Sequence, residues 1–324
     1  MKKTYFKTIL ALIATVTILA ACESEDGPKE LIKPPTKAEF AALRAKALEN
    51  ITQTTTFKAE DGLTFESKHG AKLVLSPNCL MDEEGNPVTG NVDMTYIEIY
   101  DKGNMALTNK PVVAFDPASG HPVPLITGGQ YFIEMKQGNK KLTSTCLYSI
   151  TIPGSLTGGV DEEMVLWNGI IDEETGNLVY EEAVEEQGGL KIEMANYSIF
   201  RDRFDWTNID KFWNFTGPKT QIKVTVPEGY NGDNAALYVV FDDEPNALAQ
   251  LDVYDKTEQY FTEHYGFLPV GKKVHLVFVS ESNGAVAYVV KPVTIEANQT
   301  ITISADELKV GTLDSVAALI KGLS

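Results

Sequence analysis

The 324-residue chain has little of the residue types on which several common chemistries depend. It contains three cysteines, four histidines and three tryptophans, and its only arginines are Arg44, Arg201 and Arg203. The histidines show neither the His-x-His nor the His-Glu-x-x-His spacing of a zinc site. After residue 19, no stretch approaches the roughly 18 consecutive apolar residues of a membrane-spanning helix. We therefore expect no metal, no cofactor and no later transmembrane segment.

Motifs for catalysis are also missing from the sequence. It has no Gly-x-Ser-x-Gly elbow, no Ser-x-x-Lys pair, no phosphate-binding Walker loop and no dinucleotide fingerprint. Its 45 acidic residues outnumber 28 basic ones, and the net charge of −17 argues against nucleic acid as a partner. The sequence thus predicts a protein that is not an enzyme. Because carboxylates are so numerous, a hydrolase with an acidic site stays open as an alternative.

The first 22 residues have the order of features found in an export signal. Three lysines, at positions 2, 3 and 7, precede the apolar run 9–19, which is followed by Ala20, Ala21 and Cys22. This resembles a bacterial lipoprotein signal, in which the signal peptide, here residues 1–21, is removed and the cysteine is acylated, for example with palmitate. The resemblance implies that the lipid on Cys22 anchors the protein to the outer membrane. An ordinary signal peptide cleaved nearby is the alternative.

Residues 22–35 form an acidic, proline-containing segment that we interpret as a tether. It begins with Cys22 and the run Glu23-Ser24-Glu25-Asp26, and it ends with two prolines. The acidic run resembles the export signal that sends many Bacteroidota lipoproteins to the outer face of the cell. The alternative is a solvated tether with no sorting role, so the side of the membrane stays open.

Beyond the tether, the sequence predicts a mainly β protein with a short helix near each end. Thr36 and Glu39 have the spacing of a capping box, which predicts a helix over residues 36–51. From residue 53 onward, short alternating or β-branched runs are separated by Gly, Asn, Asp and Pro, as in antiparallel sheets. We therefore expect two antiparallel β-sandwich domains, followed by a short C-terminal helix.

The first of these domains, over residues 53–195, contains two runs that carry a family resemblance. One is 69–78 (HGAKLVLSPN) and the other is 85–92 (GNPVTGNV). They resemble the ZU5-like β-module of Bacteroidota surface proteins, which has an apolar strand, a proline turn and a G-x-x-V-x-G-x-V step. The resemblance covers roughly residues 53–155. It implies the fold of this region but no catalytic activity. An acidic hairpin completes the domain.

A second domain follows a short segment rich in aromatic and charged residues. We interpret that segment, 196–213, as an aromatic junction, and residues 214–324 as an immunoglobulin-like β-sandwich ending in the C-terminal helix. A W-x-N-x-D-x-F pattern at 206–212 is similar to the junction sequence of related surface lipoproteins.

Two cysteines, Cys79 and Cys146, remain once Cys22 is acylated. In an exported protein they could form a disulfide, or they could be two separate buried thiols, and the sequence leaves both open. ZU5-like modules usually have alanine at the position of Cys79. Because this chain has a cysteine there instead, a disulfide between Cys79 and Cys146 is worth testing.

Four residues of the junction are candidates for ligand binding. Trp206 and Trp213 could stack on a sugar or peptide while Arg201 and Arg203 pair with a carboxylate. The same residues could instead be buried where the two domains meet, because tryptophan is mostly buried. We expect a non-catalytic envelope lipoprotein with a binding or scaffolding role, whose partner is a glycan or a protein. The other alternative is a carbohydrate-binding accessory protein of a glycan-uptake system.

Overall fold

The computed structural model describes most of the chain after the tether. Its described residues are 32–116, 121–171, 177–184, 188–213, 215–244, 246–264 and 266–324. The predicted signal peptide, Cys22 and most of the tether lie outside these ranges. With 49% strand and 14% helix, the mainly β fold class is confirmed. Within the described ranges, no helix is both long and apolar enough to cross a membrane.

The described residues contain three α-helices, and two of them were predicted. They are α1 (Lys37–Ile51), α2 (Lys102–Thr108) and α3 (Leu313–Lys321). The capping box of α1 is formed, because Glu39 N donates to Thr36 Oγ1 at 3.3 Å and Thr36 N donates to Glu39 Oε2 at 2.7 Å. Helix α2 was not predicted. It has seven residues, including a glycine, and is held between the N-cap Asp101 and the left-handed C-cap Asn109.

Fifteen strands lie in the described part of the first two thirds of the chain. They are β1 (Thr52–Lys58), β2 (Leu63–Glu66), β3 (Lys72–Leu75), β4 (Leu80–Met81), β5 (Asn91–Ile99), β6 (Val113–Asp116), β7 (His121–Gln137), β8 (Lys140–Lys141), β9 (Thr143–Ser144), β10 (Tyr148–Pro153), β11 (Val165–Ile171), β12 (Leu178–Glu182), β13 (Gly189–Glu193), β14 (Asn196–Arg201) and β15 (Trp206–Phe212).

These strands form two main sheets. The larger has the order β1-β5-β7-β15-β11-β12-β6, and β6 also pairs with β7, so that five strands close into a barrel. The smaller has the order β13-β14-β10-β3-β2. A hydrophobic cluster contains Met94 and Ile133 from the larger sheet together with Leu73, Ile150 and Ile199 from the smaller one. The inner residues of both sheets therefore bury each other.

The segment predicted as an aromatic junction is not a linker. Its first part is β14, inside the smaller sheet, and its second part is β15, which lies between β7 and β11 in the wall of the barrel. Every residue from Trp206 to Asp210 is buried. The sequence suggested a boundary because this segment is rich in aromatic and charged residues and separates two series of predicted strands. In the structure Asn208 and Asp210 are both buried.

Eleven further strands belong to the last third of the chain. They are β16 (Lys219–Thr220), β17 (Lys223–Thr225), β18 (Ala235–Phe241), β19 (Leu248–Gln250), β20 (Val253–Asp255), β21 (Tyr260–Thr262), β22 (Leu268–Pro269), β23 (Lys273–Ser282), β24 (Ala285–Thr294), β25 (Thr300–Thr302) and β26 (Lys309–Gly311).

Two sheets of this last third enclose their own hydrophobic cluster. One has the order β19-β18-β23-β24-β26 and the other β20-β21-β17-β25. The cluster contains Leu237 and Leu276 from the first sheet with Val224, Phe261 and Ile301 from the second.

One face of the β18-β23 sheet belongs to a core that reaches into the first two thirds of the chain. Tyr238 and Val277 from that sheet are in one cluster with Phe40 of α1, Met105 of α2 and Trp206 of the barrel. Residues 32–324 form one compact unit. The boundary predicted near 196–213 therefore does not coincide with a gap in the hydrophobic packing.

The hairpin between β13 and β14 gives a first testable prediction. Glu193 pairs with Asn196, so the turn is Met194-Ala195, and both residues have positive φ, 49° and 60°. Turns of this kind favour Asn-Gly, because other L-residues are strained there by about 1–2 kcal/mol each. We expect the double change Met194→Asn, Ala195→Gly to raise the free energy of unfolding by about 1–2 kcal/mol. Urea denaturation measures it, and an unchanged or lower midpoint would contradict the strain.

Candidate functional site

A polar cleft of about 260 Å³ opens where the barrel wall meets the loop after β18. The barrel contributes Thr127 from β7 and Lys211 from β15, and the loop contributes Glu244 and Asn246. The rest of the polar lining comes from the segment that follows β10. These residues are Thr157 and Asp161. The cleft is thus built from parts of the chain that were predicted to belong to different domains.

Hydrogen bonds hold the two sides of the cleft together. Thr127 N donates to Asn246 O at 3.0 Å, and Asn246 Nδ2 donates to Thr157 O at 2.7 Å. The amide group of Asn246 is fixed in this way, with its nitrogen turned toward the protein.

A β-bulge controls which β15 side chain reaches the cleft. The register between β15 and β7 shifts between Asn208 and Asp210. Asn208 accepts a hydrogen bond from Thr127 Oγ1 at 3.0 Å and donates through Nδ2 to Asp210 Oδ2. Burial raises the pKa of Asp210 well above its usual value, against these hydrogen bonds. The bulge leaves Asp210 buried and the next residue, Lys211, in the lining of the cleft.

Lys211 is already neutralised by acids of the same wall. Its Nζ lies 2.7 Å from Asp161 Oδ2 and 2.8 Å from Glu163 Oε2. These hydrogen bonds raise the pKa of Lys211 well above its usual value and lower the pKa of Asp161. Lys211 therefore carries no spare positive charge for an anionic ligand.

Glu244 is different, because it makes no direct ion pair with a described residue. Its side chain is half-buried, and among the described residues no lysine, arginine or histidine makes an ion pair with it. Burial raises the pKa of Glu244 and the neighbouring charge of Asp243 adds to the effect, against a backbone hydrogen bond from Asn246 and the more distant charges of Lys211 and Lys272. The cleft thus contains a half-buried carboxylate that makes no direct ion pair with a described residue.

The unpaired carboxylate predicts a pH-dependent effect on stability. Because the pKa of Glu244 is higher in the folded protein than its ordinary value of 4.5, ionisation of Glu244 destabilises the fold as the pH rises above that value. We expect Glu244→Gln to raise the melting temperature at about pH 7 and to leave it unchanged at about pH 4. The exposed Glu258→Gln is the control, with no expected change at either pH. A Glu244→Gln protein less stable than wild type at about pH 7 would contradict this account.

The four residues predicted to bind a ligand do not meet at one exposed surface. Trp206 is 8% exposed and Arg201 is 1% exposed, whereas Arg203 is exposed. Arg201 Nη1 donates to Thr207 Oγ1 at 2.7 Å. Trp213 is half-buried in another cluster, with its ring centroid 4.3 Å from that of Phe241. These four residues therefore do not form one exposed platform. The burial of Trp206 agrees with the alternative interpretation, a structural role in the core.

Cys79 and Cys146 are joined in the structure. Their Cα atoms lie 5.5 Å apart across 67 residues of sequence. Cys79 is buried and precedes β4, while Cys146 follows β9, the strand that pairs with β4. Of the two options that the sequence left open, the structure has the disulfide.

The cleft residues themselves were not predicted. Glu244 and Asp161 belong to a chain with 45 acidic residues, so neither stands out in the sequence. The only local signal is the pair Gly158-Gly159, whose φ angles of 89° and 133° shape one wall.

Among the residues that the structure describes, no group of three or more His, Cys, Asp or Glu side chains is arranged to hold a metal ion. No protein-family model matches the chain, and a search of the curated proteins finds no match either.

Proposed function

We propose that this protein is a non-catalytic, lipid-anchored envelope protein that binds a small ligand in the cleft. The lipid anchor rests on the signal sequence that ends at Cys22. Binding rests on the cleft, which is concave, polar and large enough for a molecule the size of a monosaccharide.

One observation carries the choice of ligand. The cleft contains one half-buried carboxylate, Glu244, that makes no direct ion pair with a described residue, and one lysine, Lys211, that two acids already neutralise. A ligand with a positive charge would supply the missing counter-ion, and hydroxyl groups would match Asn246 and Thr157. We therefore infer a small hydroxylated amine, such as an amino sugar. This keeps the carbohydrate-binding alternative and gives it a site other than the junction tryptophans.

We also propose that the paired sheets are two β-sandwiches, the first ZU5-like and the second immunoglobulin-like. The support is that each pair of sheets contributes side chains to one hydrophobic cluster between them. The closed barrel is then an elaboration at one edge of the first sandwich.

Calorimetric titration with glucosamine tests the cleft. N-acetylglucosamine is the control ligand, because it has a similar shape without the positive charge. At about pH 6.5 we expect glucosamine to bind more tightly than N-acetylglucosamine, and Glu244→Gln to weaken it by about fivefold or more, as for the loss of about 1 kcal/mol. Glu258→Gln should bind like wild type. Equal affinities in all three proteins would show that the charge on Glu244 does not select the ligand.

The anchor has a separate test. We expect Cys22→Ser to abolish incorporation of labelled palmitate and to release the protein from the membrane fraction, since no second anchor is predicted in the sequence. A Ser24→Ala protein, changed two residues further on, should still be labelled and membrane-bound. Retention of label in Cys22→Ser would contradict lipidation at this residue.

A further inference from the structure

Two cations near the start of the chain lack acidic partners. Arg44 is on α1, and Lys110 follows α2; both side chains are half-buried. Among the described residues neither makes an ion pair with an aspartate or glutamate. This is unexpected in a chain with 45 acidic and 28 basic residues. A half-buried charge without a partner is unfavourable, so something outside the described protein is expected to compensate it.

The guanidinium of Arg44 is held in place by neighbouring side chains, but not all of its N–H groups have a hydrogen-bond partner in the described structure. Its Cζ lies 4.2 Å from the ring centroid of Phe40, and its Nη2 donates to Asn109 Oδ1 at 3.2 Å. The same Asn109 oxygen accepts from Tyr238 Oη at 2.7 Å, which fixes Asn109 between the helix and β18. The Nε of Arg44 is buried and has no hydrogen-bond partner in the described structure. A buried N–H group of this kind requires an acceptor.

Lys110 lies on the same part of the surface. Its Nζ is 5.9 Å from the ring centroid of Trp206, and the preceding residue is Asn109, the partner of Arg44. Burial lowers the pKa of Lys110, and the positive charge of Arg44 lowers it further. The two cations are therefore close enough to repel each other, and no acid among the described residues relieves the repulsion.

We infer that Arg44 and Lys110 form a binding site for an oxyanion, such as a carboxylate, phosphate or sulfate group. The guanidinium fork can donate two hydrogen bonds to two oxygens of such a group, and the ammonium adds a positive charge. An anion between them would supply the acceptor that Arg44 Nε lacks and would neutralise both charges. The site is separate from the cleft and does not depend on the ligand proposed there.

Thermal melting of the full chain in different anions tests this site. Sodium sulfate is compared with sodium chloride at equal ionic strength, and sulfate in excess of its dissociation constant is expected to raise the melting temperature by about 2–4 °C. Sulfate also stabilises proteins in general, so the result is the difference between variants. The shift is expected to persist in Lys46→Gln, an exposed lysine of α1, and to fall in Lys110→Gln.

Two further measurements keep the test decisive. In chloride alone, Lys110→Gln should melt at or above the wild-type temperature, because the change removes an unpaired charge; if this variant does not fold, Arg44→Gln replaces it.

Glucuronate, with neutral glucose as its control, separates an oxyanion on a sugar from a free inorganic ion. A shift with glucuronate alone would assign the site to an anionic sugar, and a shift with sulfate would assign it to a simple oxyanion. Equal shifts in wild type and Lys110→Gln for every anion would overturn the inference.

Discussion

Replacing Glu98 by alanine is expected to lower the free energy of unfolding by about 3–5 kcal/mol, because several donors lose one buried acceptor at about 1–3 kcal/mol each. Glu98 is the penultimate residue of β5 and is 2% exposed. Its Oε2 accepts from Ser67 Oγ at 2.7 Å and Tyr100 Oη at 3.0 Å, and its Oε1 accepts from Gln53 Nε2 at 3.1 Å and lies 2.7 Å from His69 Nδ1. Alanine would leave these groups without their acceptor, and unsatisfied buried donors are costly.

Asp93 provides a matched control for Glu98, because it is an acid on the same strand with an exposed side chain. Asp93→Ala should change the free energy of unfolding by no more than about 0.5 kcal/mol. Urea denaturation of both variants measures the difference. A loss below about 1 kcal/mol for Glu98→Ala would mean that the carboxylate does not hold the β2–β3 turn against β5.

Replacing Trp206 by alanine is the second change with a large expected effect. The indole is 8% exposed, and its ring centroid lies 5.3 Å from that of Phe132. A Cβ at Gly169 would collide with Trp206 Cβ, so the two strands are tightly packed at this point. Removing a buried aromatic side chain leaves a cavity and is expected to cost about 3–5 kcal/mol.

The same variant also tests whether the chain folds as one unit. Trp206 and Tyr238 belong to one hydrophobic cluster, although they come from segments predicted as separate domains. We therefore expect Trp206→Ala to lower the melting temperature of the whole chain in a single transition, while Val184→Ala, at a 93% exposed residue, leaves it unchanged. Two separate unfolding transitions, of which only one shifts to a lower melting temperature, would instead support the two independent domains that the sequence predicts.

Local patterns in the sequence were sufficient to predict the mainly β fold class and the helix near each end of the chain. The capping residues Thr36 and Thr312 are adjacent to the helices that they cap, so a short window contains all the information. The sequence predicted the disulfide as one of two options, because only Cys79 and Cys146 remain once Cys22 is acylated. Its geometry depends on the pairing of β4 with β9, which is not visible locally.

The position of β15 could not be predicted in the same way. The sequence analysis placed Asn208 and Asp210 in a junction between two domains and not in a strand of a sheet. In the fold they are buried, and Thr127, 81 residues earlier, donates to Asn208. Pairing over such a distance is set by the fold as a whole.

Glu244 illustrates the same limit for the candidate site. One acid among many becomes distinctive only when the fold half-buries it without a direct ion pair among the described residues. Lys211, by contrast, acquires two acids from a segment about 50 residues earlier in the chain. Neither environment is encoded by the residues next to them.

Mapping the glucosamine contact by NMR tests most directly whether the cleft is the binding site. The experiment uses isotope-labelled Cys22→Ser protein and follows backbone amide signals during a titration with glucosamine, and then with N-acetylglucosamine. We expect the largest shifts at Thr157, Asp161, Glu244 and Asn246, and smaller shifts with the neutral sugar. Shifts spread over the exposed acidic turns, with none at these four residues, would contradict a binding role for the cleft.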